Sequence, residues 1–321
     1  MFRLATSILS PGGARGRLSA FIFHRVLPAP DPLQPSEPHA EQFDQMLGWI
    51  GSQFNVLPPL EACERLTAKS LPPRAAIITF DDGYRDNHDI ALPLLKKHGM
   101  TAVFFVATGF LGGGAMFNDR VIEAVRASRG SVLDAAPLGL GRLPIGSDDE
   151  RRAAIATLIA EVKHAAFDDR ARHLDVLEAV CEVRRRPDLM MSETQVAALA
   201  RASMVVGGHT RHHPILRVID DVAAREEIAA GRDDLHAITG IPPVLFAYPN
   251  GKLHDDFERS HRDMVEAAGF HYGFTTHRGA SGPSDDRFLL CRHTPWSRSA
   301  LRFQGQALTN LTGRALDPAL A

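Results

Sequence analysis

Two carboxylates stand side by side in Thr79-Phe80-Asp81-Asp82-Gly83-Tyr84, directly after the apolar run Ala75–Phe80. One carboxylate at a strand end can hold a metal while the other works as a base. Neighbouring residues on a strand point to opposite faces, so the turn must bend to bring both inward, and Gly83 permits that. The same segment is also compatible with an ordinary strand-end turn built on Asp82-Gly83. A second cluster is Gly208-His209-Thr210-Arg211-His212-His213-Pro214. In a helical turn His209 and His213, at i and i+4, share a face where two imidazoles can clamp one ion, and His212 at i+3 competes for that place. In Phe246-Ala247-Tyr248-Pro249-Asn250-Gly251 a Pro-Asn-Gly turn can expose backbone N–H groups to a developing oxyanion. In Phe23-His24-Arg25-Val26, His24 is either a general acid or base or a structural strand-end histidine.

Chemistry at strand ends needs strands to carry it. Seven short runs rich in β-branched and aromatic residues qualify: Ser19–Val26, Ala75–Phe80, Thr101–Ala107, Ser203–Gly207, Pro243–Tyr248, His271–Thr276 and Phe288–His293. They are nearly continuous in apolar character, which is the pattern of strands buried on both faces. Helical patterns over Asp89–Lys97, Asp221–Ile238 and Asp255–Ala268 lie between them. Strands alternating with helices predict a parallel α/β architecture, and seven candidates suit a barrel better than an open sheet. In barrels of this kind the carboxyl ends of the strands line the active site.

Residues 110–202 interrupt the alternation and read as a helical insertion. Pro137–Ser147 reads as a loose glycine-rich loop and Asp148–Val183 as a long helical region; a Ser192/Gln195 capping box opens a helix over Glu193–Ala202. Residues 27–40, with five prolines, read as a surface loop bordering the site. The expected layout is an N-terminal segment over 1–17, one barrel over 18–303, and a frayed tail over 304–321.

The chain has 321 residues, 45% apolar and 23% charged, with a net charge of −2, so a strongly basic nucleic-acid footprint is excluded as a whole-chain property. No apolar run reaches the length of a membrane-spanning helix. Cys63, Cys181 and Cys291 are too few and too scattered for a disulfide framework or a four-cysteine zinc cluster. The basic start, Met1 to Val26, is interrupted by Pro11, Gly12 and Gly13, so no secretory signal is read there and a cytoplasmic location is expected.

Taken together the four segments resemble the polysaccharide deacetylase family, also called the NodB-homology or carbohydrate esterase 4 family. Its first motif, TFDDG, matches Thr79–Gly83, and its second, H-[ST]-x-x-H, matches His209–His213. The resemblance runs from about Phe21 to Pro295, with Phe110–Ala202 as an added segment. It implies a distorted (β/α)7 barrel and a divalent metal, zinc foremost with cobalt or nickel as alternatives. Asp82, His209 and His213 are the implied ligands and Asp81 the implied catalytic base. The implied reaction is removal of N-acetyl groups from a glycan or amino-sugar precursor built on N-acetylhexosamine. Removal of O-acetyl groups and glycan binding without catalysis are the rival readings.

Two departures from the family pattern stand out. The third motif, R-x-P-[YF]-G, places Ala247 at the arginine and Asn250 at the aromatic position, so the arginine that orients the base is missing there. Arg292 is the candidate substitute. The late acid histidine is also not evident in its usual context; His24 is the candidate acid, with His293 next to it in rank, and the Asn250 N–H is the candidate oxyanion donor.

Overall fold

The computed structural model describes residues 2–163, 167–295 and 299–313. The chain opens with helix α1 (Phe2–Leu9), strand β1 (Ser19–Phe23), α2 (Ala40–Gln53), β2 (Asn55–Val56), α3 (Pro59–Thr67) and β3 (Ala75–Phe80). There follow α4 (Leu92–Lys97), β4 (Ala102–Val106), α5 (Phe117–Ala127), β5 (Val132–Asp134), β6 (Arg142–Pro144), α6 (Asp148–Lys163) and α7 (Phe167–Val180). The last third holds α8 (Glu193–Arg201), β7 (Val205–Gly208), α9 (Asp221–Thr239), β8 (Leu245–Ala247), α10 (Arg259–Ala267), β9 (Tyr272–Phe274) and α11 (Ala300–Thr312).

The main sheet is parallel throughout, in the order β1-β3-β4-β7-β8-β9, with β2 paired to the start of β3. Every residue of β1, β3 and β4 is buried, as continuous apolar runs require. Ala20, Ile77, Val103, Phe105, Ala247, Phe274 and Leu290 fill the space inside the curl. The sheet's other face carries the ring stack of Phe23, Phe80 and Phe104, with Phe43 of α2 edge-on to the first two. Ala62, Cys63 and Leu66 of α3 join the inner core, together with Leu18 and Ala75 at the amino ends of β1 and β3. Strand-end chemistry is thereby left to the carboxyl ends.

The expected seventh strand, Phe288–His293, is not regular. It makes isolated bridges to β9 (Phe274 with Leu290) and to β1 (Phe21 with His293), which close the ring as a distorted (β/α) barrel. The reason is visible in its donors. The Cys291 N–H goes to the Ser281 hydroxyl and the Arg292 N–H to the His277 carbonyl, so no continuous ladder forms.

Other expectations are corrected in detail. The helix expected over Asp89–Lys97 is a π-helical turn, Asn87–Ala91, running into α4. The helix expected over Asp255–Ala268 starts only at Arg259, because Asp255 and Asp256 donate backwards to the Lys252 carbonyl in a turn. α2 and α3 lie where no capping signal advertises a helix; Phe43, Met46, Leu47 and Ile50 nonetheless mark one buried stripe. The frayed tail after Phe303 is corrected through residue 312, since α11 buries Phe303, Ala307 and Leu311; residues 314–321 lie outside the described residues.

The chain divides into two compact units. One comprises residues 1–29, 36–109 and 191–321; the other comprises 30–35 and 110–190. In the second, Val121, Val125, Leu133, Ile155, Leu158 and Leu177 form a separate core. The long helical region is two helices, α6 and α7, and residues 164–166 between them lie outside the described residues. The loose loop contains β6, paired antiparallel with β5.

Candidate active site and metal centre

The carboxyl end of β3 delivers the two aspartates in opposite senses. Asp82 has φ 75° and Gly83 φ 93°, so the bend expected of the glycine begins one residue earlier, at Asp82. A side chain at Gly83 would also meet Val106 Cγ1 at 2.9 Å. A non-glycine residue in left-handed backbone is strained and persists only where its surroundings enforce it. Asp82, Thr210, His213 and Asn250 all share that conformation, and all four sit in the loops that follow β3, β7 and β8.

Asp81 is buried against Arg292. The guanidinium gives Nη1 to Oδ1 at 2.6 Å and Nη2 to Oδ2 at 2.8 Å, the two-pronged arrangement that fits a carboxylate best. Arg292 Nε donates to the Thr275 carbonyl at 2.9 Å, so the fork is itself held. Burial pushes the Asp81 carboxyl up, but Arg292 and then His209 outweigh it and hold it below the usual carboxylate range. Ala247, at the family's arginine position, is a small residue of the barrel core, and the Arg292 guanidinium reaches Asp81 from a different segment.

Asp82 faces two imidazoles. Its Oδ1 lies 3.4 Å from His209 Nε2 and 3.5 Å from His213 Nε2. Those separations are long for hydrogen bonds, and Asp82 Oδ1 is a buried oxygen with no hydrogen-bond partner. They match the edge of a tetrahedral zinc site, where ligand atoms about 2.0–2.2 Å from an ion lie about 3.3–3.6 Å apart. His209 Nδ1 is 2.7 Å from the Ala247 carbonyl, which fixes a proton on Nδ1 and leaves Nε2 as the nitrogen turned toward Asp82; burial lowers the imidazole's pKa, but the charges of Asp81 and Asp82 outweigh it and raise it. The donor set and its orphaned oxygen therefore fit a divalent ion. Burial pushes the His213 imidazole down to about 4, so it is the neutral, ligand-competent form.

The segment that carries the two histidines is not a helical turn. Left-handed Thr210 and His213 fold it back, and the Thr210 hydroxyl accepts the His213 N–H at 3.0 Å. His212 points elsewhere: its Nδ1 is 2.7 Å from Glu227 Oε1 on α9, so it does not compete for the ion position. Glu227 also accepts the N–H groups of Arg211 and His212 at 3.0 and 2.7 Å. One turn along α9, Gly231 lies so close that a Cβ there would meet the Thr210 carbonyl at 2.7 Å. Nothing in the local sequence advertised Glu227 or Gly231, because their contact with the loop is purely tertiary.

His24 follows β1 on the alternation of Ala20, an inner-core residue, and is half-buried. It lies within electrostatic range of Asp81, Asp82 and His213, at the same rim. Its segment is tied down by residues the motif reading passed over. Asp86 accepts the Val26 N–H and pairs with Arg25 at 2.9 Å, and the Asn87 amide donates to the His24 carbonyl at 2.8 Å. A signal existed, since both sit in the run that continues TFDDG. The His293 ring lies 6.1 Å from Phe21, a residue outside the inner core, and its Nε2 is buried without a partner. Asn250 sits in the turn after β8, where its carbonyl accepts the Thr276 hydroxyl.

The sequence model of the family described as "Polysaccharide deacetylase" matches residues 68–129 and 167–273, more than half of the chain. The chain belongs to the polysaccharide deacetylase family. Among curated members, a provisionally named polysaccharide deacetylase of Bacillus subtilis (strain 168), YxkH, is 38% identical over 74 residues, covering 22% of this chain and 26% of that relative. Among solved structures, IcaB from Ammonifex degensii has a TM-score of 0.59 at 20% identity, over 91% of this chain and 97% of that one. The Streptococcus pyogenes deacetylase PplD, solved in complex with acetate, has a TM-score of 0.57 at 16% identity, over 87% and 92%. A de-N-acetylase from Aggregatibacter actinomycetemcomitans follows at 0.53 and 15%, over 86% and 94%. At these identities the structural likeness establishes the fold of this deacetylase-family chain.

Proposed function

We propose that this member of the polysaccharide deacetylase family removes N-acetyl groups from N-acetylhexosamine-containing glycans or their precursors, with a divalent ion, zinc foremost, held by Asp82, His209 and His213. The observation that carries the reading is the buried Asp81–Arg292 fork, 2.6 and 2.8 Å, beside an aspartate oxygen that faces two imidazole nitrogens. It weighs against glycan binding without catalysis, the rival reading that the missing arginine of the third motif motivates. The named de-N-acetylase among the structural neighbours supports amide cleavage, and the acetate bound to PplD supports deacetylation of either kind.

When bound, such an ion supplies Lewis acidity and lets water attack at neutral pH. Asp81, held ionised by Arg292, takes the proton from the attacking water. The Asn250 N–H, in the turn after β8, donates to the acetyl oxygen as charge builds there. His24 gives its proton to the amide nitrogen as the C–N bond breaks. One water is consumed; acetate and a free amine leave.

The test is a panel of N-acetylated and O-acetylated sugars, incubated with ion-loaded protein and assayed for both acetate and free amine. Release of the two in equal amounts supports the reading; acetate from O-acetyl substrates alone rejects it. With His24→Ala, amide cleavage should fall by about 10²–10⁴ while an activated acetyl ester, whose leaving group needs no proton, is still hydrolysed.

A further inference from the structure

The two helices nearest the chain ends each leave large apolar side chains in solvent. On α1, Leu4 and Ile8 lie one turn apart and are each 68% exposed, while the residue that is fully buried is Thr6. On α11, which packs against α1, Leu301 is 73% exposed. These are the three most exposed large apolar side chains among the described residues. On α1 this reverses the ordinary amphipathic pattern, whereas α11 also buries Phe303, Ala307 and Leu311 beneath its exposed Leu301.

The end segments that carry them hold charge of one sign. Residues 1–30 and 287–316 contain no Asp or Glu, although Arg and Lys make up 36 residues of the chain and Asp and Glu 38. Arg3, Arg15 and Arg302 are exposed and take part in no ion pair among the described residues. Exposed leucines and isoleucine amid unpaired cations are the makings of a surface that settles into the interface of an anionic bilayer, apolar side chains between the acyl chains and cations at the headgroups. A second copy of the same face would bring arginine against arginine, which argues against self-association.

We infer that the α1–α11 face is a peripheral docking surface for an anionic lipid bilayer. The full-length protein should co-sediment with vesicles of phosphatidylcholine plus phosphatidylserine, far less with phosphatidylcholine alone, and should be released by salt. The triple variant Leu4→Ser, Ile8→Ser, Leu301→Ser should weaken vesicle binding at least about tenfold. Arg3→Glu with Arg302→Glu should weaken it comparably. All of these residues lie outside the site, so ion content and deacetylation of a water-soluble substrate should stay at wild-type levels and report an intact fold. Absence of vesicle binding by the wild type, or binding undiminished in both variants, overturns the inference. A wild-type dimer by light scattering that the triple variant splits also overturns it and gives the face to a second copy.

Discussion

Asp81 and Arg292 are each about as buried as a side chain can be, and neither is tolerable there alone. Two charges taken from water must be matched to each other, and removing one leaves the other uncompensated. Arg292→Ala should therefore cost about 3–5 kcal/mol in denaturant unfolding at neutral pH. Arg292→Lys should cost less but not restore the wild type, because an ammonium cannot make the planar two-pronged contact. The pH dependence has a definite sign. In the wild type the folded Asp81 carboxyl lies below its unfolded value of 3.8, so its contribution is present above that pH and lost as pH falls below it. In Arg292→Ala burial is left to dominate and the carboxyl rises above its unfolded value, so the variant's deficit should narrow on acidification. A deficit that is constant or widening between neutral pH and acid would show that the pair does not set the charge of Asp81.

At the scale of elements, α9 shapes the histidine loop. Glu227 accepts three donors from Arg211 and His212, Gly231 admits the Thr210 carbonyl, and Asp234 accepts the Thr108 hydroxyl at 2.6 Å and pairs with Arg211 at 3.2 Å. Spaced at i, i+4 and i+7, the three lie along one face of the helix. Supports of this kind typically matter 10–100-fold in metal affinity. Glu227→Ala and Gly231→Ala should each weaken zinc binding by about that factor in a competition titration with a chromophoric chelator, with helical content by circular dichroism unchanged. Full affinity in both would leave the loop's shape to Thr210 alone. The contrast with the motif is instructive. The facing groups, Asp82 with His209 and His213, were legible through the resemblance to the family motifs, while residue type and spacing alone left Asp81 against Asp82 and His212 against His213 open. The conformation was not: i, i+4 spacing suggests a helical turn, whereas left-handed Thr210 and His213 depend on a helix that follows in the chain by some ten residues and touches the loop only in the folded state. Arg292 was legible as a candidate only because the third motif lacked its arginine, and Phe288–His293 looked like a strand because composition cannot show where its N–H groups go.

At the scale of the whole molecule, the curl of parallel strands turns every strand's carboxyl end toward one rim, which is how residues as distant in sequence as His24, Asp81, His209 and Arg292 become neighbours. Alternation of apolar runs with helices made that architecture readable. The separate unit of residues 30–35 and 110–190 was readable only as an interruption, since its three helices and small hairpin pack on a local core of their own. An ion that binds the folded barrel and not the unfolded chain stabilises it by mass action, by about 2.7 kcal/mol at a hundredfold excess over Kd. Zinc should accordingly raise the unfolding midpoint in differential scanning calorimetry and a chelator should lower it, with the shift abolished in His209→Ala. An equal shift in that variant would locate the ion elsewhere.

The most direct test of the central claim, that Asp81 is the base beside an ion held by its neighbours, is Asp81→Asn with activity and metal content read on the same sample. Acetate release from an N-acetylated glycan should fall by about 10²–10⁴ while zinc stoichiometry stays at the wild-type value. Near-normal turnover with the ion in place would contradict the claim.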